Sequence, residues 1–405
     1  MNENFKIIAV RSVTITFIGG LTGGLDVLYI TKILNLESYL LGYLSAIQSA
    51  VILSIILFAG WLSDNWGRRR TFLLGTGLTL INPLIMAFAP SWEYVFLVYV
   101  IGAAGSSLAL PSLTALYISS MKKSERATKI AYVSSLTTIA NAVTPPAGAF
   151  LIERMGGLPK MRVIYLIQFV ATLIVWVYTM KLKDTEVLKT EKGKMLPEIL
   201  LEIKDTINVL KENRALWWIW IFTIGSFAYG ASSPYWILFA AEAYSSPYVV
   251  IGLLSTVYSV TNALTLIPVG RFSDRKGRIR AIKYLRPISY LSFAIFLIGY
   301  RFKLNFIYLI PLVVWGLRGI GSACSAPCQS AVNEVVPQEF LGRWRALRTF
   351  LVSIAGVPSG ILGSLLWSIN PCLPFLFTLL IEIAIRYPIV YFKLPETLYV
   401  NKSTW

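Results

Sequence analysis

The chain has 405 residues, of which 56% are hydrophobic and only 14% charged, well below the roughly one quarter charged of a soluble globular protein. Net charge is +17, histidine is absent, and the three cysteines (Cys324, Cys328, Cys372) sit in apolar stretches. This excludes His-ligated metals, Ser-His triads and histidine proton shuttles, and it gives no reason to expect a disulfide framework, a metal site or a cofactor.

A helix needs about 20 apolar residues to cross the hydrocarbon core of a bilayer. Twelve segments qualify, at about 6–31, 39–62, 70–89, 92–120, 127–152, 161–182, 214–241, 248–270, 281–300, 304–333, 346–368 and 371–392. None alternates in the manner of a barrel strand. The first is too long for a signal-peptide core and no cleavage site follows it, so it is expected to remain a span. An even number of spans puts both termini on one face. If that face is cytoplasmic, 28 of the 37 Lys and Arg lie on it, six lie opposite and three fall inside spans. The positive-inside rule thus predicts a multi-pass plasma-membrane protein with both termini cytoplasmic, and it explains the +17 without nucleic acid. Membrane lipid is an expected partner, and a monomer is the expected state.

Charges inside spans are costly unless paired or hydrated, so they draw attention to function. In the first span Asp26 follows the small residues of Thr22-Gly23-Gly24-Leu25. Burial disfavours an ionised carboxylate, so an acid in a half-dry cavity can bind and release a proton; with no histidine, carboxylates must do such work. Asp26 is therefore the proton-coupling candidate. Its alternatives are a structural partner for an arginine or a hydrated residue at the rim. Arg11 falls on roughly the same helical face as Asp26, near the cytoplasmic end, where snorkelling is expected.

After the second span comes Gly60-Trp-Leu-Ser-Asp64-Asn-Trp-Gly67-Arg68-Arg69. Gly60 and Gly67 are expected to allow a tight turn and close helix approach. Asp64 stands where a carboxylate can meet backbone N–H groups at a helix N-terminus, and Arg68 can pair with Glu125. The fifth span carries Asn141-Ala-Val-Thr-Pro145-Pro146-Ala-Gly148, whose prolines predict bends. The longest polar stretch, 183–213, separates an N-terminal bundle (1–182) from a C-terminal one (214–405). Within it Leu196, Ile199, Leu200, Ile203, Ile207 and Leu210 share one helical face, which reads either as an amphipathic helix on the membrane surface or as a plain connector. Arg318 lies near the middle of the tenth span, where it can pair with Asp26 or Glu382 or hold an anionic group of a solute. Glu382 and Arg386 in the twelfth are spaced i, i+4 and are expected to form a structural pair.

The halves repeat. The loop sequence recurs as Gly270-Arg-Phe-Ser-Asp274-Arg-Lys-Gly277-Arg278, Gly105-Ser-Ser-Leu-Ala-Leu-Pro111 as Gly321-Ser-Ala-Cys-Ser-Ala-Pro327, and Pro146-Ala-Gly148 as Pro358-Ser-Gly360. The offsets are nearly constant, so Arg318 has Gly102 as its counterpart. The doubled G-x-L-S-D-x-x-G-R-R pattern, the twelve spans and the central loop resemble the major facilitator superfamily. That resemblance implies an all-α membrane protein of twelve transmembrane helices in two pseudo-symmetric six-helix bundles. It implies a solute site between the repeats and a cytoplasmic gate made by the loop motifs, although the same residues also read as simple loop anchors. It also implies a twelfth span outside the cavity. Gln48, Asn141, Tyr229, Tyr235, Trp236, Tyr258, Asn262, Gln329 and Asn333 are the cavity candidates that it suggests, suited to drug-like solutes or sugars alike.

No phosphate-binding G-x-x-x-x-G-K-[ST] loop and no nucleophile–base set is visible, so neither ATP-driven transport nor an enzyme is expected. The expected function is proton-coupled export of small organic or drug-like solutes by alternating access. The alternatives are proton-coupled uptake of a sugar or organic anion, with Arg318 on the anion, and a transport-inactive receptor or lipid-handling scaffold.

Overall fold

The computed structural model of the chain describes residues 3–121, 125–183, 218, 221–222, 225, 227–301, 307–336, 341–394 and 396, with backbone alone at 57, 64, 127, 333, 335 and 341–347. The predicted surface helix of 183–213 lies outside the described residues, apart from Lys183. All regular structure among the described residues is helical. In chain order it comprises α1 (Glu3–Gly20), α2 (Leu25–Lys32), α3 (Leu40–Trp66), α4 (Arg68–Phe88), α5 (Glu93–Ser119), α6 (Arg126–Arg154), α7 (Met161–Thr179), α8 (Phe227–Ser232), α9 (Trp236–Glu242), α10 (Tyr248–Lys276), α11 (Arg278–Arg301), α12 (Ile310–Ser322), α13 (Ser325–Val335), α14 (Leu341–Ile369) and α15 (Leu373–Ile381).

Eight of these stretches are long and apolar enough to cross a membrane among the described residues, and the pair α1–α2, bent by 45°, makes a ninth. The segments predicted at 39–62, 127–152 and 214–241 carry helix without meeting that criterion over what is described. Large apolar side chains point outward on many of them: Leu264 is 70% exposed, Ile369 75% and Ile174 65%. Water would penalise such a surface and hydrocarbon does not.

The first span is not the single helix expected. Gly24, at φ +83°, closes a break over residues 21–24, and α2 restarts at Leu25. Left-handed backbone of this kind is open to glycine at little cost. The seventh segment breaks at the matching place, where Ser233-Pro234-Tyr235 forms a 3-10 turn between α8 and α9.

Contacts divide the chain into two compact units. The first contains Met1–Leu40, Ile47–Leu196 and Ile251–Thr256; the second contains Leu41–Ala46, Pro197–Val250 and Val257–Trp405. In the first unit α4 packs closely on α5 and α7, and α1 on α6. A Cβ on Gly75 would stand 2.5 Å from the Gly105 carbonyl oxygen, and one on Gly105 equally close to that of Gly75. A Cβ on Gly148 would stand 1.9 Å from the Leu21 carbonyl oxygen, and one on Gly20 would meet Thr144 Oγ1 at 1.8 Å. Backbones this close admit only hydrogen at those positions. Lys183 is tied to α1: its N–H donates to Asn4 Oδ1 at 2.9 Å, the Asn4 amide donates back to its carbonyl at 2.9 Å, and its ammonium lies 2.6 Å from Glu3. The hydrogen bond to Glu3 holds that ammonium above the ordinary lysine range.

The second unit repeats this scheme within itself. A Cβ on Gly321 of α12 would meet Ser289 Oγ of α11 at 2.1 Å, as Gly105 meets Gly75. A Cβ on Gly363 would meet the Ala231 carbonyl oxygen at 2.4 Å, and one on Gly230 would meet Ser359 Oγ at 2.7 Å. By packing, the partners of Thr144 and Gly148 are therefore Ser359 and Gly363, not the Pro358-Ser-Gly360 alignment expected from sequence. The sequence matched proline to proline; the fold matches the residue that lets two backbones touch.

Candidate functional site

In the first unit α1, α2, α4, α5 and α7 line a cavity of 440 Å³. Asp26 projects into it from the first turn of α2, and its carboxylate accepts a hydrogen bond from Tyr165 Oη at 2.6 Å. The helix break positions it. The carbonyl of Ile18, close to the break, accepts the Gln168 side-chain amide at 2.9 Å, and the same amide reaches Thr22 Oγ1 at 3.1 Å. Among the described residues Asp26 has no ion-pair partner. A carboxylate held by a neutral phenol beside open volume can take up and release a proton without breaking a salt bridge. Arg11 lines the same cavity fifteen residues away, with its guanidinium 4.8 Å from the centre of the Phe72 ring. It faces inward into the unit instead of snorkelling.

Arg318, in the second unit, does not pair with Glu382. Its guanidinium carbon stands 3.8 Å above the Trp236 ring and 4.8 Å from that of Trp315, and it donates to Tyr229 Oη at 2.5 Å. Glu382 is occupied by other arginines, and the aromatic faces take the cation instead. Trp236 belongs to a ring cluster with Phe293, Phe296 and Phe375 at centroid distances of 4.8–5.1 Å. Trp236 is 2% exposed and Tyr235 0%, so these two candidates cannot touch a solute as placed. Tyr229 is 37% exposed and does face open space. At Gly102, the counterpart of Arg318, a Cβ would stand 2.7 Å from Asn82 Nδ2, so an asparagine fills the space where the second unit has its arginine.

Of the other candidates, Gln48, Asn141 and Gln329 are exposed and Tyr258 is half-buried. Asn262 is spent on helix packing, donating to the Gly319 carbonyl at 3.3 Å and to Ser322 Oγ at 2.5 Å. The side chain of Asn333 lies outside the described residues.

The loop motifs resolve into separate parts. Gly67 (φ +106°) and Gly277 (φ +115°) make the sharp reversals between α3 and α4 and between α10 and α11. Gly60 and Gly270 do not mediate a close approach, since a Cβ on either would meet nothing within 4 Å among the described residues. Asp64's side chain lies outside the described residues, and Glu125 pairs with Lys129 at 2.6 Å. In the second unit Asp274 bonds Arg278, which also reaches Glu334 Oε1 at 2.9 Å. The carboxylate on the helix N-terminus is that of Glu396, which accepts from the N–H groups of Arg278 at 2.6 Å, Ile279 at 3.3 Å and Arg280 at 3.2 Å.

Glu382 and Arg386 form an ion pair across one turn of π-helix. They are 4% and 6% exposed, and Arg286 of α11 joins them at 3.0 Å from Glu382 Oε2. The sequence reading missed Arg286, Tyr165, Gln168 and Asn82. The signal for the last three was present: Tyr165, Gln168 and Thr172 on α7 recur at three- and four-residue spacing, and Thr76, Thr79 and Asn82 on α4 at three-residue spacing, on one face of an otherwise apolar helix.

Comparison with known proteins adds the lineage. A family model described as Major Facilitator Superfamily matches residues 8–360. Multidrug resistance protein 1 of Bacillus subtilis (strain 168) is 22% identical over 359 residues, 87% of each chain. Multidrug resistance protein 2 of the same organism is 26% identical over 120 residues, and that match spans only 30% of each chain. Among solved structures, a bacterial homologue of the iron transporter ferroportin superposes with a TM-score of 0.75 at 12% identity, covering 96% of this chain and 97% of that one. At such identity the likeness is one of fold.

Proposed function

The chain belongs to the Major Facilitator Superfamily, and from that premise we propose that it couples proton movement to export of small organic, drug-like solutes by alternating access. It is an all-α, multi-pass membrane transporter and not an enzyme. The observation that carries the coupling is Asp26: an acid without an ion-pair partner among the described residues, hydrogen-bonded to Tyr165 and facing a cavity with room for water. The drug-resistance names of the Bacillus relatives support export. Charge distribution supports the orientation with both termini cytoplasmic. The bundles 1–182 and 214–405, joined by 183–213, are the moving bodies in this reading. Tyr229 is the solute contact, because its phenol is exposed, and Arg318 beside it is the contact for an anionic group where the solute carries one.

Purified protein in liposomes carrying an imposed pH gradient tests this. Ethidium, an amphipathic fluorescent cation, is expected to move against its own gradient when protons run the other way, and Asp26→Asn is expected to abolish the movement. Ethidium flux indifferent to the pH gradient would overturn the coupling. Symport with protons would establish uptake instead, and no flux over a broad solute panel would leave the receptor reading.

A further inference from the structure

We propose that the cavity of the first unit is a hydrated proton conduit closed by charge: Asp26 accepts protons near one end, and the fixed cation of Arg11 at the other prevents their leaking through. The proposal rests on the reading of Asp26 as the coupling acid and says what keeps that coupling tight.

The shape of the cavity comes first. Its lining runs from Arg11 to Ile30 along α1 and α2, from Thr76 to Met86 along α4 and from Tyr165 to Trp176 along α7. At about 1.5 Å per residue those stretches extend for roughly 15 to 28 Å. A volume of 440 Å³ spread over that length is narrow, and at about 30 Å³ per molecule it holds on the order of 15 waters.

Polarity comes second. Thr22, Thr76, Thr79, Asn82, Tyr99, Gln168 and Thr172 face the volume. Asn82 Oδ1 is buried with no partner among the described residues. An orphaned amide oxygen on a roomy polar cavity calls for water.

The charges come third. Of the lining residues only Asp26 and Arg11 are charged. Around Asp26 the facing groups are the phenols of Tyr165 and Tyr99, with the Tyr29 ring tilted against that of Tyr165 at a centroid distance of 5.4 Å. Beyond Tyr29, Arg162 donates to its hydroxyl at 3.2 Å and to the Ala89 carbonyl at 3.1 Å, outside the lining. Around Arg11 the neighbour is the Phe72 ring, and among the described residues no carboxylate neutralises it. An uncompensated guanidinium in a narrow wet passage repels protons, as fixed positive charges do in water-selective pores. A proton on Asp26 then leaves through conformational change and not by running along the water.

Proton uptake into liposomes carrying an entrapped pH dye, with no solute present, tests this. Wild type is expected to leak slowly. Arg11→Gln is expected to leak at least roughly tenfold faster, the factor for a unit charge about 10 Å away at an effective dielectric near 20. Arg11→Lys should stay tight, and Arg11→Gln combined with Asp26→Asn should return to baseline. A folded Arg11→Gln variant with wild-type leak overturns the inference while leaving Asp26 coupling intact. Gradient-driven ethidium flux that survives Asp26→Asn would instead sink the underlying reading. Hydroxyl-radical footprinting of wild type guards against a variant that fails to fold. Met86 and Met161 are both buried, 5% and 0% exposed, and only Met86 lines the cavity. Met86 is expected to oxidise much faster, and equal protection of the two would mean a dry cavity and overturn the conduit.

Discussion

Tyr165 of α7 donates its phenolic hydrogen to the Asp26 carboxylate of α2 across 2.6 Å, joining two helices through the one acid of the cavity. A hydrogen bond to a charged group contributes about 1.5–3 kcal/mol. Tyr165→Phe is therefore expected to slow gradient-driven ethidium flux by roughly ten- to hundredfold while leaving the fold intact. Asp26→Asn should remove gradient dependence altogether. Flux assays across a pH series on both variants check this.

Arg318 is held by two indole faces and a phenol. A desolvated cation–π contact is worth up to about 2 kcal/mol, so Arg318→Ala is expected to lower the thermal midpoint in detergent. Lysine lacks the planar surface that stacks, so Arg318→Lys should recover less than half of the loss. Thermal unfolding followed by tryptophan fluorescence reads both.

Glu382 bridges Arg286 and Arg386 inside the second unit. Removing one member of a buried ion cluster typically costs about 3–5 kcal/mol, because the remaining charges stay buried. Glu382→Gln is expected to reduce folded yield sharply, and a second change, Arg386→Met, to restore part of it. Monodispersity on size exclusion and the thermal midpoint of both variants decide the matter.

Two glycines of the first unit should behave oppositely. Gly105→Ala places a methyl group against the Gly75 carbonyl and is expected to cost about 1–3 kcal/mol through overpacking. Gly60→Ala meets open space within a helix and is expected to be neutral or to gain about 0.5–1 kcal/mol. Equal effects in thermal unfolding would refute the packing assignment.

In the second unit Glu396 caps the start of α11. Helix capping contributes about 1 kcal/mol, so Glu396→Ala should lower stability by roughly that amount. Gly277→Ala should cost more, since it strains a backbone at φ +115° and pushes a methyl group into the Glu396 carboxylate. The same thermal assay separates the two.

Hydrophobic length alone made the membrane architecture legible, since lipid demands long apolar helices whatever their partners. Asp26 was legible because a buried acid is expensive and therefore rare. Tyr165, Gln168 and Asn82 were not singled out, because each is unremarkable by type and gains meaning only from the helix it faces. The aromatic setting of Arg318 was hidden for a related reason. Sequence reading looks for a carboxylate near a stranded cation, whereas Trp236 and Trp315, neutral and apolar by composition, were the partners. The loop repeat showed where the chain turns, through Gly67 and Gly277. It did not reveal that Glu396, from beyond the last span, would supply the capping carboxylate.

The two units bend their opening helices at the same place with different chemistry. Four glycines, at positions 19, 20, 23 and 24, surround the joint beside Asp26, whereas Ser233-Pro234 forms the joint beside Trp236. Glycine leaves backbone rotation free and proline fixes it. Of the two joints, the one beside the acid therefore has the backbone chemistry of a hinge and the one beside Trp236 that of a brace.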